Sequence, residues 1–239
     1  MQTFSLPHAQ VDVLADPAAL AESCAEAFIQ HAGQAIAARG KFVVALAGGS
    51  TPKATFALLA KMPGRVDWKK VHVYFGDERH VPPDHADSNF RTAHETLLSR
   101  VPIPSTQIFR VLAELPAAEA AADYDAKVRA AGRFDLIMLG MGPDGHTASL
   151  FPETTALGCT DKLVVENWVP KFNTFRLTFT YTAINAARSV LFAAAGGDKA
   201  EMLRTILRDG ADFPSGHVRP ADGVLCWKLD AAAASKMGF

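Results

Sequence analysis

Asp144-Gly145-His146 sets a carboxylate and an imidazole two residues apart across a glycine, inside the run LGMGPDGHTASLFP at 139–152. An imidazole, with a reference pKa of about 6.5, is the natural general base near neutrality. A nearby carboxylate can fix its tautomer and stabilise the imidazolium. The same run contains a formal GxGxxG at Gly140, Gly142 and Gly145, with Glu166 about 20 residues on, where a ribose-binding acid would be sought. Asp144 would put a negative charge where a pyrophosphate should sit, and Pro152 limits any long helix after the last glycine, so the dinucleotide reading is set aside. A covalent serine route is also disfavoured, because GHTAS is not GxSxG. The other histidines are scattered. His72 reads as a packing residue in a strand, and His80 is a minor candidate beside a second charged loop. No HExxH or CxxC spacing is present, so neither a metal nor an organic cofactor is expected.

Three further loops carry residue types suited to a phosphorylated substrate. Gly48-Gly49-Ser50-Thr51-Pro52-Lys53 lies between an apolar run and a helical pattern. Two glycines allow close backbone approach, Ser50 or Thr51 can cap the helix, and free amides at a helix start favour an anion. The GxxxxGK spacing of a Walker loop is absent. Gly76-Asp77-Glu78-Arg79-His80-Val81 follows another apolar run. Arg79 has the forked, permanently charged group that suits phosphate, and Asp77 could either position sugar hydroxyls or support Arg79. Ser88 reads as a helix cap, and Asn89 beside it could face a ligand. Gly196-Gly197-Asp198-Lys199 stands at another helix start, where a lysine opposes the helix dipole and could donate a second positive charge to a phosphate.

The elements between these loops alternate strand-like and helix-like. Asp16-Pro17 opens a long helix that Gly40 closes. Phe42–Ala47, Val71–Phe75 and Phe134–Leu139 read as buried strands, with further strands at 176–180, 189–195 and 224–227. Helices are expected at 52–61, 88–98, along the Ala-rich 113–131 surface stretch, and from Asp198 onward. Continuous apolar strands separated by helices imply an α/β fold: a doubly wound, largely parallel sheet with helices on both faces. Ligands of such folds lie beyond the carboxyl ends of the strands, where the four loops stand.

Composition narrows the partners. Across 239 residues, 24 Lys and Arg balance 25 Asp and Glu, so no global field attracts nucleic acid or an anionic membrane. Hydrophobic residues make up 49% and charged ones 21%, enough for one complete core, and we expect one domain over 1–239. Three scattered cysteines fit neither a disulfide framework nor a zinc ribbon and suggest a reducing compartment. The opening MQTFSLPHAQ has no basic run leading into an apolar stretch, and apolar runs such as FVVALA are far below a membrane span. A cytoplasmic protein acting on a small molecule is expected, with a monomer compatible with everything read here.

The loops, in this order, resemble the 6-phosphogluconolactonases through ALAGGSTPKATF, VHVYFGDERHVPPDHADSNFR, FDLIMLGMGPDGHTASLFP, FRLTFTYTAINAARSVLFAAAGGDKA and VRPADGVLCWKLDAAAA. The resemblance implies hydrolysis of 6-phospho-D-glucono-1,5-lactone to 6-phosphogluconate in the oxidative pentose phosphate pathway. It also implies a fold shared with glucosamine-6-phosphate deaminases. Those deaminases carry a DEY-type segment where this chain has Asp77-Glu78-Arg79, and an Asn-Glu-Pro where it has Ser149-Leu150-Phe151-Pro152. A sugar-phosphate sensor domain of transcription regulators is a second alternative, but the sheet begins within the first 15 or so residues, leaving no room for a helix-turn-helix module of ordinary size. One departure stands out: the family places a proline or two close before Arg176, whereas here Pro170 is followed by Lys171-Phe172-Asn173-Thr174-Phe175. On this reading His146 is the base, Asp144 orients it, and Gly48, Gly49, Ser50, Thr51, Arg79 and Lys199 contact the phosphate and substrate. Since no ligand set with zinc or calcium spacing is present, dialysis against EDTA should leave lactone hydrolysis intact. Loss on chelation with recovery on adding one divalent ion would overturn the metal-free expectation.

Overall fold

Residues 1–238 are described by a computed structural model. In chain order the principal elements are β1 (Gln2–Leu6), β2 (Ala9–Leu14), α1 (Pro17–Arg39), β3 (Phe42–Leu46), α2 (Ser50–Lys61), β4 (Val71–Phe75), β5 (Asp77–Arg79) and α3 (Asn89–Ala93). There follow α4 (Ala117–Ala131), β6 (Leu136–Leu139), β7 (Val164–Val169), β8 (Thr174–Phe179), α5 (Tyr181–Asn185), β9 (Ser189–Ala194), α6 (Ala200–Leu207) and β10 (Val224–Asp230). Seven strands form one sheet in the order β1-β2-β10-β9-β6-β3-β4, parallel except for the edge strand β1. The doubly wound fold is as expected. The strands alternate sides: Phe42, Val44 and Leu46 of β3 join one core cluster, Val43 and Ala45 the other, and β6 and β9 do the same. Helices α1 and α2 cover the first face, and α4, α5 and α6 the second. A parallel sheet needs this double cover, because both rows of side chains are apolar.

Local signals hold where they are strongest. Asp16 caps α1 by accepting from the Ala19 amide at 2.8 Å, Pro17 occupies the first position, and Gly40 ends the helix in a left-handed conformation at φ 75°. Ser88 caps α3, accepting from the Arg91 amide, and the helix then widens into a π-turn over His94–Leu98. The helix expected to begin at Asp198 opens instead with a 3₁₀ turn, Gly197–Lys199, before α6.

A second sheet was not anticipated. It is three-stranded and antiparallel, in the order β5-β8-β7. After β4 the chain passes Gly76, whose carbonyl accepts from the Phe179 amide at 2.8 Å, and enters β5 in the new sheet. Three charged residues in a row hide a strand from any reading based on apolar alternation. The sheet packs onto the same core as α4, through Val164, Val165, Leu177 and Phe179.

On the opposite face Phe28 of α1 meets Phe42 edge-on at 5.2 Å and stacks on Trp68 at 5.8 Å between centroids. Phe28 is fully buried. Phe28→Ala should therefore destabilise the chain by about 3–5 kcal/mol, the range for emptying a buried aromatic site. Urea unfolding at 25 °C reads the loss, and a change below about 1 kcal/mol would mean that the site collapses around the cavity.

Candidate active site

The sheet order turns back on itself between β3 and β6. From β3 the chain steps outward to β4, then returns past β3 to β6 and continues through β9 to β10. Connections leaving two neighbouring strands in opposite directions open a crevice at their carboxyl ends, the usual ligand position in this class. A cavity of about 200 Å³ lies there, lined by Gly48 and Gly49 after β3, Asp77 and Arg79 of β5, Asn89 of α3, and Gly140, Gly142 and His146 after β6. Eight residues from four separated segments thus share one space.

His146 stands on a loop that closes on itself. The Gly142 amide donates to the His146 carbonyl at 2.9 Å, the Gly145 amide to the Gly142 carbonyl at 3.0 Å, and Thr147 Oγ1 to the Gly140 carbonyl at 2.9 Å. The imidazole lies against the bare Cα of Gly142, where a methyl group would fall 2.0 Å from Cε1, so no side chain is tolerated there. No helix follows Gly145, which removes the structural context that a dinucleotide fingerprint needs. Nδ1 of His146 sits 2.5 Å from Asp144 Oδ1. An ionised carboxylate only accepts, so Nδ1 carries the proton and Nε2 of the neutral ring is left as the basic nitrogen. Phe151 stacks on the ring at 4.0 Å. The other oxygen of Asp144 accepts from Lys171 Nζ at 2.9 Å. Burial would raise the Asp144 carboxyl, but the hydrogen bonds from His146 and Lys171 outweigh it and hold it down to about 2.

Asp77 and Arg79 point to the same side of β5, and Glu78 to the other. Asp77 accepts from Ser149 Oγ at 2.7 Å and from Asn89 Nδ2 at 3.2 Å, so its carboxylate links the His146 loop to α3. Glu78 is a buried clamp: it accepts from the Arg79 and Asn89 amides through Oε1, and from Ser88 Oγ and the Phe90 amide through Oε2. Burial pushes its carboxyl above the ordinary range, and the Phe90, Asn89 and Arg79 amides pull it back in part. Arg79 donates through Nη1 to the Asp87 carbonyl, and its buried Nε has no protein partner.

Directly opposite Arg79 in the sheet register is Arg176 of β8, whose Nε is likewise buried and unpartnered. Burial first, and then the neighbouring Arg79 charge, lower its guanidinium below the usual arginine range. Two adjacent guanidiniums with unspent donors are unfavourable alone and favourable around a dianion. Sequence reading passed over Arg176, although an arginine on the same strand face as Thr174 and Thr178 was a usable signal.

Other expected contacts fall differently. Gly49, at φ 107°, takes the N-cap position of α2, which therefore starts one turn-half earlier than expected and has no side-chain cap. Ser50 and Thr51 lie in the first turn, past the cap position that Gly49 holds, so neither caps the helix, and neither lines the cavity. Lys199 does not line the cavity either. Its Nζ is held by the Ala195 carbonyl at 3.1 Å and by Asp198 at 3.1 Å, beyond the end of β9, which neighbours β6. His80 is turned away, bonded to the Leu115 carbonyl at 2.8 Å and set edge-on against Phe175.

A family model described as "Glucosamine-6-phosphate isomerases/6-phosphogluconolactonase" matches residues 15–227. Among curated relatives, a 6-phosphogluconolactonase of Nostoc sp. is 41% identical over 240 residues, covering 95% of this chain and 98% of that one. The human 6-phosphogluconolactonase is 39% identical, covering 94% and 92%. The solved structure of a 6-phosphogluconolactonase from Thermotoga maritima superposes with a TM-score of 0.83 at 34% identity, covering 92% of this chain and 98% of that one. With the crevice, the Asp144–His146 pair and these likenesses in agreement, the chain belongs to the glucosamine-6-phosphate isomerase/6-phosphogluconolactonase family.

Proposed function

We propose that this chain hydrolyses 6-phospho-D-glucono-1,5-lactone to 6-phosphogluconate. The observation that carries the reading is the His146 Nδ1–Asp144 contact at the edge of a cavity that also holds Arg79. A lactone is an activated ester, so the protein has to place water, move its proton and receive developing negative charge. His146 Nε2 takes a proton from water as the oxygen attacks C1. Asp144 holds the ring in the productive tautomer and stabilises the imidazolium that forms. The tetrahedral intermediate then collapses with cleavage of the bond between C1 and the ring oxygen, and the imidazolium returns its proton to that oxygen. The open acid and the neutral histidine result.

The phosphate is read by Arg79 and Arg176, with the side-chain-free start of α2 at Gly49 adding amide donors and the positive end of the helix dipole. Lys199 adds long-range charge from the end of β9, weakened by its Asp198 partner. Asp77 and Asn89 also line the cavity and offer an acceptor and an amide to the sugar hydroxyls.

The first test is hydrolysis of freshly generated lactone, corrected for spontaneous opening, with glucosamine-6-phosphate deamination assayed in parallel. His146→Ala should lower the catalysed rate by about 10²–10⁴-fold with little change in substrate affinity, and Asp144→Asn should lower it less. Near-normal turnover in His146→Ala would remove the histidine from the mechanism, and deamination without lactone hydrolysis would overturn the substrate assignment.

The phosphate site is tested by calorimetric titration of 6-phosphogluconate and of gluconate. Arg79→Ala and Arg176→Ala should each weaken the phosphorylated ligand by about 1.5–3 kcal/mol, the scale of a hydrogen bond to a charged group. They should barely alter binding of the other ligand. Lys199→Ala should show a smaller loss of the same kind. Equal losses for both ligands would assign these cations to the sugar or the fold.

A further inference from the structure

The segment that departs from the family's proline pattern forms a turn against the catalytic pair. After β7 the chain makes a 3₁₀ turn over Pro170–Phe172, closed by Asn173 in the left-handed region at φ 49° with its amide donating to the Pro170 carbonyl at 3.1 Å. Two successive side chains of this turn pack toward the pair, one on Asp144 itself and one on the ring that His146 stacks against. Lys171 Nζ meets Asp144 Oδ2 at 2.9 Å, while Oδ1 of the same carboxylate meets His146. Phe172 sets its ring edge-on to Phe151 at 5.6 Å, and Phe151 is the ring on which His146 stacks.

We propose that Lys171 is a positioning residue for hydrolysis, fixing the Asp144 carboxylate by its second oxygen so that the first stays aligned on His146 Nδ1. This rests on the assignment of His146 as the base. A carboxylate has two acceptor ends and a freely turning side chain. Without the ammonium it is held through Oδ1 alone, by the imidazole and by the His146 amide at 3.4 Å, and can turn about that oxygen; an ammonium on Oδ2 fixes the second end and leaves one orientation. The Lys171 charge also opposes the pull of Asp144 on the imidazolium, which eases return of the proton to the leaving ring oxygen.

The charged surroundings of the pair are few. Asp144 faces His146 and Lys171. His146 faces Asp144 and, across the shared cavity, Asp77 and Arg79. Arg176 lies over the Phe172 ring at 5.1 Å and makes no bond to Asp144 or His146. The segment packed behind Gly145 carries Asp212 and His217, which are bonded to one another. Lys171 is thus the cation in direct contact with Asp144 besides the histidine itself.

Lys171 is more than half exposed, so replacing it does not threaten the fold. Exposed ion pairs are worth about 0.2–1 kcal/mol, which sets the expected scale: Lys171→Met should lower kcat by about two- to fivefold with KM within about twofold. Removing the cation leaves Asp144 acting on the imidazolium unopposed, so the acid limb of the kcat/KM profile should move to higher pH by about 0.2–0.7 unit. Lys171→Arg should restore both values. Made in an Asp144→Asn background, Lys171→Met should have no further effect. An unmoved acid limb, a loss confined to KM, or an equal loss in the Asp144→Asn background would overturn the proposal. A nitrogen-15 NMR titration of the His146 ring in wild type and Lys171→Met needs no turnover. Its midpoint should rise in the variant whatever the substrate, and an unchanged midpoint would sink the Lys171 assignment while leaving lactone hydrolysis standing. An inactive wild type with a shifted midpoint would do the reverse.

Discussion

Much of the site hangs on one buried carboxylate. Glu78 is 2% exposed, and four donors, the amides of Arg79, Asn89 and Phe90 and the hydroxyl of Ser88, converge on its two oxygens. A buried carboxylate with fewer donors would be strongly destabilising, and with four it becomes a rigid joint. The joint fastens β5 to the first turn of α3. Because side chains alternate along a strand, directing Glu78 into the protein directs Asp77 and Arg79 out of it, into the crevice. The same joint presents Asn89, whose amide reaches Asp77. Asp77 in turn takes the Ser149 hydroxyl and so ties this assembly to the His146 loop. Rotating one glutamate would unfasten residues from three of the four segments.

The second sheet explains how such a joint can sit at the end of a parallel sheet. Strand β4 runs out of the main sheet at Gly76 and continues as β5 against β8. Thr178 of β8 accepts from the Ser149 amide at 3.1 Å, and Asn167 of β7 donates to the Ser149 carbonyl at 2.9 Å. The loop carrying Asp144 and His146 is therefore held from one side by the main sheet and from the other by the small one. Placing a site on rigid elements in this way limits the rotamers its residues can sample.

The fold was legible because its largest signals are local or periodic. Asp16, Pro17 and Gly40 delimit α1 by cap chemistry, and the apolar runs of β3 and β6 announce strands buried on both faces. Most of the cavity lining was legible too, since Gly48, Asp77, Arg79 and His146 all follow such runs. What escaped was set by register and by side-chain satisfaction. The pairing of Arg79 with Arg176, nearly a hundred positions away, is decided by how β5 lies on β8. The helix cap went to Gly49 and not to Ser50 or Thr51, because a backbone at φ 107° suits a residue without a side chain. Lys199 looked unfavourable at a helix start, but its ammonium is answered locally by Ala195 and Asp198.

The two halves of the site place opposite demands on charge. At one end Arg79 and Arg176 are held side by side with buried, unspent donors, an arrangement that costs energy until an anion arrives. At the other, the proposed reaction needs Asp144 ionised beside a histidine that gains and loses a proton in each turnover. Separate local partners keep these demands apart: the carbonyl of Asp87 on Arg79, and Lys171 on Asp144. A chain with a net charge of −1 has no overall field to do this work. The polarity of the crevice is built contact by contact, and on the proposed function this is what directs an anionic substrate to the arginine end by short-range donors and leaves its reacting carbon for the imidazole.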